Sequence, residues 1–463
     1  MPLSKMLSDC LLHVDNALPQ SVDRLLELLR IPSISTDAQY APDCEKAALW
    51  LVRTLSNLGF EAEIYPTPGH PMVVAKGGQD QEGPHLLFYG HYDVQPVDPL
   101  YLWDRPPFEP QLCDGPKGPI IFGRGASDDK GQLMTFIEAL RAWIAVHGSM
   151  PCKLTLFFEG EEESGSPSLI PFMEKNAELL KADLALICDT GLFGENTPSI
   201  VTTLRGLLGE EVTIHAADKD LHSGMFGGAA INPLRVLSRI IAGLHDDTGR
   251  ITLPGFYDDV PELPDAIRAQ WQSLAFDHAS FLGDVGLSVP AGEQDRTPLE
   301  MLWSRPTCEV NGLWGGYIGD GFKTVLPAKA HAKISFRLVG NQNPHKLRQT
   351  FRDYVTAQLP SDCTATFKPH GAGPASDMHI SDPAFDKARQ ALSAEWGVTA
   401  TFVGCGGSIP IAGYFKTYLD MDALLTGFAR DDDQIHSPNE KYDLSAYRKG
   451  IRSWVRILDA LTK

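Results

Sequence analysis

Positive charge is in short supply. The chain has 40 Lys and Arg against 59 Asp and Glu, a net charge of −19. A protein that neutralises a phosphate backbone needs the opposite balance, which argues against a nucleic-acid partner. The same acidity would draw divalent cations into a carboxylate-lined cleft. No stretch approaches the ~18 uninterrupted apolar residues of a membrane span. The opening MPLSKMLSDCLLHVDNALPQ has no long apolar run of a signal peptide. The eight cysteines form no C-x-x-C, and some lie in runs such as LALICDT that read as core. Reduced thiols in a cytoplasmic protein are expected. Internal repeats and low-complexity tracts are also missing.

What is present is a long chain with alternating elements. At 463 residues it exceeds one ordinary core, so two domains are expected. Residues 41–60 have a helical period. HLLFYG (85–90), CKLTLFFEG (152–160) and ADLALICD (182–189) are apolar runs that read as buried strands, with an amphipathic helix at 128–148 between the first two. Strands alternating with helices predict an α/β fold, with a mostly parallel central sheet flanked by helices. Beyond about residue 205 the pattern changes. Residues 207–218 alternate like a strand with one solvated face. The segments at 232–246 and 343–359 both open with Asn-Pro, an N-cap followed by proline at the first helical position. A smaller α/β layer inserted into the larger domain is expected, with an irregular stretch at 247–310 holding one helix near PDAIRAQWQSLA. MDALLTGFA (421–429) resumes the apolar runs, and a helix at 444–461 closes the chain.

Chemistry-bearing residues recur where apolar runs end. His91 and Asp93 follow LLFYG, and Asp128 lies in GRGASDDKG. Glu161, Glu162 and Glu163 follow KLTLFFEG, Asp189 ends LALICD, and His436 follows LLTGFARDDDQI. In open α/β sheets the site lies beyond the carboxyl ends of the strands. Taken singly, each piece is ordinary: an H-x-D turn, a glycine-rich helix start, a solvated run of glutamates. Together they collect carboxylates and two histidines at one sheet edge. Packed carboxylates repel, and a divalent cation relieves the repulsion. Imidazole and carboxylate ligands suit Zn²⁺, with Mn²⁺ or Co²⁺ also compatible, and a pair of ions is a hydrolytic arrangement. GRGASDDKG lacks the Lys-Ser/Thr pair of a phosphate loop and the glycine spacing of a dinucleotide site.

GHYDVQP, GRGASDDKG, EGEEESGS, DLHSG, SFRLV and GGSIP occur in that order. The set closely resembles the di-zinc peptidase family that includes carboxypeptidase G2, aminoacylase and succinyl-diaminopimelate desuccinylase. Within it, the chain is most similar to the cytosolic non-specific dipeptidases, the carnosinase-like branch. The resemblance implies a catalytic di-metal domain at 1–205 and 379–463, interrupted by an α+β lid and dimerisation domain at 206–378. It implies two divalent ions per subunit, a homodimer, and hydrolysis of dipeptides with a free C-terminal carboxylate. Asp128 would be shared by both metals, His91 and Asp189 would complete one, and Glu163 and His436 the other. Asp93 would orient the His91 ring, since residues two apart on a strand face the same way. Asp129 would be placed by the turn, where the family often has a cis peptide.

The family pattern Glu-Glu-Ser-Gly sets the register of the three glutamates. Ser164 and Gly165 make Glu162 the general base acting on a water between the metals, Glu163 the ligand, and Glu161 a surface residue. His222 would stabilise the oxyanion, in dimeric members from the other subunit. Arg337 would clamp the substrate carboxylate, joined by Gly407, Ser408 and, across the dimer, Thr324. One departure stands out. Dipeptidase-like members commonly have Arg-Glu before GGSIP, where this chain has Gly404 and Cys405. That leaves room for an alternative, a deacylase of N-acyl or N-carbamoyl amino acids. A non-catalytic binding protein on the same fold would have lost at least one of these residues.

Overall fold

The computed structural model describes residues 4–274, 276–283, 285–407 and 409–463. The chain divides into two compact units: Met1–Thr202 with Met378–Phe402 and Tyr414–Lys463, and Thr203–Asp377 with Val403–Gly413.

The first unit is built on the apolar runs. Strand His85–His91 lies between Lys153–Glu159 and Leu184–Ile187, parallel to both, and Ala423–Leu425 extends the parallel centre beyond Leu184–Ile187. Glu61–Tyr65, Met72–Gly77 and Ser199–Leu204 add antiparallel flanks. The α/β class with a largely parallel centre is as expected. These central strands are covered by helices, which is why they read as unbroken apolar runs. Helix Lys130–His147 puts Phe136 flat on Phe88, with centroids 3.9 Å apart, and Trp454 of helix Leu444–Leu461 meets Phe136 edge-on at 5.2 Å. All three rings are buried, and each contributes about 1.5–3 kcal/mol by leaving water. Helix Lys130–His147 ends on Gly148 at φ 74, a left-handed cap that glycine adopts without strain. A small antiparallel sheet of Gln111–Gly115, Gly118–Phe122 and Lys441–Asp443 was not foreseen.

The second unit holds a four-stranded antiparallel sheet, ordered Thr307–Gly315, Lys329–Leu338, Gly206–His215, Thr364–Gly373. Gly206–His215 alternates buried and half-buried along its length, as its sequence pattern requires. Helices Pro233–Ala242 and Pro344–Ala357 pack Leu237, Ile240, Leu347 and Phe351 against Val212, Ile334 and Phe336. Their Asn232 and Asn343 side chains accept the Leu234 and His345 backbone N–H groups, each at 2.9 Å, so both Asn-Pro signals mark true starts. Among the described residues, the stretch expected to hold one helix holds three: Asp265–Ser273, His278–Gly283 and Pro298–Trp303. The last starts from a capping box, in which Thr297 and Glu300 satisfy each other's backbone N–H groups.

Candidate metal centre

The centre is assembled where the parallel strands end. His91 is the last residue of its strand, opposite Glu159. Gly90 before it has a local reason. A Cβ there would stand 2.9 Å from Asp129 Oδ2, and Asp129 Oδ2 accepts the His91 backbone N–H at 3.1 Å. Glycine thus lets the Asp128–Asp129 turn close onto the strand end. The Asp128–Asp129 peptide is cis.

Two groups of ligand atoms, His91–Asp128–Asp189 and Asp128–Glu163–His436, each lie within 4.8 Å of one another. Asp128 belongs to both. His91 Nε2 is 3.2 Å from Asp128 Oδ1. His436 Nε2 is 2.9 Å from Asp128 Oδ2 and 3.2 Å from Glu163 Oε2. A third acidic group, Asp432, Asp433 and Asp443, surrounds Lys441 Nζ, which lies 2.7 Å from Asp433 and 2.8 Å from Asp443. That lysine supplies the positive charge itself.

Polar contacts hold the ligands in place. His91 Nδ1 faces Asp93 twice, at 3.3 Å from Oδ1 and 3.2 Å from the carbonyl oxygen. The strand stops at His91, so this contact comes from the turn after it and not from two residues on one strand face. Asp93 Oδ2 also accepts the Glu163 N–H at 3.0 Å, linking the two ligand loops. Gln95, which the motifs did not single out, donates to Glu163 Oε2 at 2.7 Å.

Glu161 is not a surface residue. It is 2 % exposed, and its carboxylate accepts the backbone N–H groups of His70 and Ser168. The charge run faces inward because the loop ending at His70 closes over it.

The electrostatics are those of a cation site. Burial would raise Asp128, yet His436 and His91 outweigh it and hold the carboxyl well below the usual range. Asp128 and Glu163 push His436 up to about 10. Burial and the neighbouring Asp128, Glu162 and Glu163 carboxylates push Asp189 far up. Glu162 rises to about 7, mainly through burial, helped by Glu163, Asp93 and Asp128 and opposed by His91. His91 Nε2 is buried without a hydrogen-bond partner, although Asp128 Oδ1 is close. An imidazole nitrogen and a carboxylate oxygen this close in the interior fit ligands of one cation. The mixed imidazole and carboxylate donors fit Zn²⁺, Mn²⁺ or Co²⁺.

The other candidates lie in the second unit. His222 and Thr324 are brought together there: His222 pairs with Val325, and the Ser223 N–H reaches the Thr324 carbonyl at 3.1 Å. His222 Nδ1 accepts the Gly224 N–H at 3.0 Å, which leaves the ring proton on Nε2. Arg337 sits on strand Lys329–Leu338 with Arg205 nearby; burial, joined by the Arg337 charge, brings Arg205 down to about 10. Arg205 donates to the Gly406 carbonyl at 2.9 Å, beside the exposed Gly407. Arg205 had no motif to announce it. Ser408 lies outside the described residues.

Peptidase family M20/M25/M40 matches over residues 87–460. The Cys-Gly metallodipeptidase dug1 of Schizosaccharomyces pombe is 32% identical over 457 residues, covering 95% of each chain. The crystal structure of human carnosine dipeptidase 1 superposes with a TM-score of 0.81 at 26% identity, covering 100% of both chains. The family metallo-carboxypeptidase Sso-CP2 of Sulfolobus solfataricus gives 0.81 at 31% identity, covering 96% of this chain and 99% of its own.

Proposed function

The chain is a member of peptidase family M20/M25/M40, and on that footing we propose that it hydrolyses dipeptides carrying a free C-terminal carboxylate at a centre of two divalent ions. It is a metal-dependent peptidase by membership. The observation that carries the two-ion reading is the pair of ligand groups sharing Asp128, with Glu162 beside them. Ions held there would polarise the scissile carbonyl and acidify a water. Zn²⁺ is the ion of choice on donor type, with Mn²⁺ or Co²⁺ able to replace it.

Glu162 serves as the general base. Its ordinary carboxylate value is raised to about 7, so it can take a proton from water and return it to the leaving amine. His222 donates from Nε2 to the developing oxyanion. Arg337 holds the substrate carboxylate, for which a planar two-pronged donor suits. Gly407, Ser408 and Thr324 complete that contact.

The inserted segment at about 206–378, which makes up most of the second unit, serves as lid and dimerisation domain in a homodimer. Support comes from its edge strand Thr307–Gly315, which exposes Val310, Leu313 and Trp314, followed by Ile318 at 85% and Phe322 at 90% exposure. An apolar open sheet edge is a pairing surface. No disulfide is found among the described residues, which favours a reducing compartment such as the cytoplasm.

A second reading, hydrolysis of N-acyl amino acids, draws support from Gly404. A Cβ there would collide with Trp303, so no larger side chain fits where dipeptidase-like relatives carry one. A hydrolysis screen of the zinc-loaded protein decides. Dipeptides, tripeptides and N-acyl amino acids are offered side by side. Fastest turnover of dipeptides supports the first reading. Fastest turnover of N-acyl amino acids replaces it with the second.

A further inference from the structure

Glu440 follows His436 by four residues and is completely buried. Its carboxylate accepts four hydrogen bonds. Oε1 takes the backbone N–H of Ser127 at 2.9 Å and of Asp128 at 3.0 Å. Oε2 takes the Gly125 N–H at 2.9 Å and Arg124 Nη1 at 2.7 Å. Three of these donors are main-chain amides of one turn, the turn that ends in Asp128. Amides converging from a single turn form an anion-binding hollow, and here the anion comes from the chain itself. The Gly123 N–H adds a fifth bond, to the Glu440 carbonyl at 3.1 Å.

The same two segments are joined a second time. Asp433 Oδ2 accepts the Ser127 hydroxyl at 2.9 Å and the Arg430 N–H at 2.8 Å. Segment 430–441 carries His436, and segment 123–128 carries Asp128. Glu440 and Asp433 fasten one to the other on either side of His436. Arg124 extends the frame, donating to the Pro96 carbonyl at 3.1 Å and lying over the Trp103 ring.

We propose that Glu440 is a positioning residue of the metal centre: its carboxylate gathers the amides of Gly125, Ser127 and Asp128 and so fixes the shared ligand Asp128 against His436. The inference rests on the two-ion reading above. Glutamate is needed because both oxygens must accept. A glutamine in its place would turn an NH₂ group toward either the Ser127 and Asp128 amides or the Gly125 amide and Arg124, setting donor against donor. A residue that only stabilised the fold would leave ion affinity alone. A residue that sets ligand geometry changes it, and outer partners of metal ligands typically control it by ~10–100-fold.

The test compares wild type, Glu440→Gln and Glu440→Asp. The second variant keeps the charge beside Arg124 but is one methylene too short to fill the turn. Zinc affinity is measured by competition with a chelator, folding by thermal melting of the chelated protein, and kcat and KM on a dipeptide the wild type cleaves. Glu440→Gln is expected to bind at least one zinc ~10–100-fold more weakly, with kcat reduced and KM little changed. Glu440→Asp is expected to show a smaller loss in the same direction. Folded Glu440→Gln that binds both ions as wild type does overturns the proposal. If Glu440→Gln does not fold, Glu440→Asp decides, and wild-type affinity there overturns it equally. Wild-type protein that takes up no zinc overturns the two-ion reading and this one with it.

Discussion

Glu161 Oε1 accepts the His70 backbone N–H at 2.9 Å, across 91 residues of sequence. Oε2 accepts the Ser168 N–H at 3.0 Å, and a Cβ on Gly69 would run into the same carboxylate. Three consecutive glutamates thus differ: Glu161 fastens the loop, Glu162 is the proposed base and Glu163 meets His436. Glu161→Ala would strand two amides in the interior, at about 1–3 kcal/mol each. A clear drop in melting temperature is expected, with bound metal retained at low temperature. Unchanged melting would show that the loop does not depend on this carboxylate.

Glu162→Gln should separate binding from chemistry. The residue belongs to neither ligand group, so metal content should stay at the wild-type level. Turnover should fall by ~10²–10⁴-fold, the usual worth of a general base. Glu163→Gln should instead lower metal content as well. Near-normal turnover in Glu162→Gln would remove it from the role of base.

The site was legible where residue types carried chemistry at the end of an apolar run. His91, Asp128, Glu163, Asp189 and His436 lie far apart in sequence, yet each follows a run or turn whose direction the alternating strands and helices imply. Glu161 was misplaced because the motif register gives roles only to Glu162 and Glu163, and nothing in the sequence announces the loop that covers Glu161. The residues near 70 that cover it, TPGHP, carry no periodic signal. Glu440 and Arg205 escaped for a related reason. The Glu440 carboxylate is met mostly by backbone amides and Arg205 reaches the Gly406 carbonyl, and main-chain geometry leaves no trace in side-chain pattern. In the fold, helices with Asn-Pro starts stood out, whereas His278–Gly283 and Pro298–Trp303 are too short to show a helical period. The strands Gln111–Gly115 and Gly118–Phe122 are a short, partly buried hairpin with too few residues to show a clear apolar pattern.

Asp128 is shared, so its loss should differ in kind from loss of an unshared ligand. Asp128→Ala should lose both ions, and His436→Ala only one, measured as zinc per chain after dialysis. Chelation should abolish turnover in wild type, and added zinc should restore it. Equal zinc loss in the two variants would argue against a bridging role for Asp128.

Arg337 beside Arg205 makes a strongly positive corner in the second unit. If it receives the substrate carboxylate, amidating a dipeptide's C-terminus should cost as much as Arg337→Ala, on the order of 2–5 kcal/mol in kcat/KM. The two losses should not add in a double cycle, because each removes the same interaction. Full additivity would mean that Arg337 serves another group.

His222 is exposed, and its Nδ1 is engaged by the Gly224 N–H, so Nε2 is the nitrogen offered outward. An exposed donor on the proposed dimerisation domain could serve a neighbouring chain, and two-fold symmetry would make such an exchange reciprocal. Two inactive variants, Glu162→Gln and His222→Ala, can be mixed, dissociated and reassociated. In a hybrid dimer with exchanged histidines, one site carries both lesions and the other carries neither. With random mixing about half the dimers are hybrid and about half of their sites are intact, so about a quarter of wild-type turnover should return. If His222 serves its own chain, every site in the hybrid keeps one lesion and turnover stays near zero. Hybrid dimers must be verified by mass, because only then does silence assign the histidine to its own subunit.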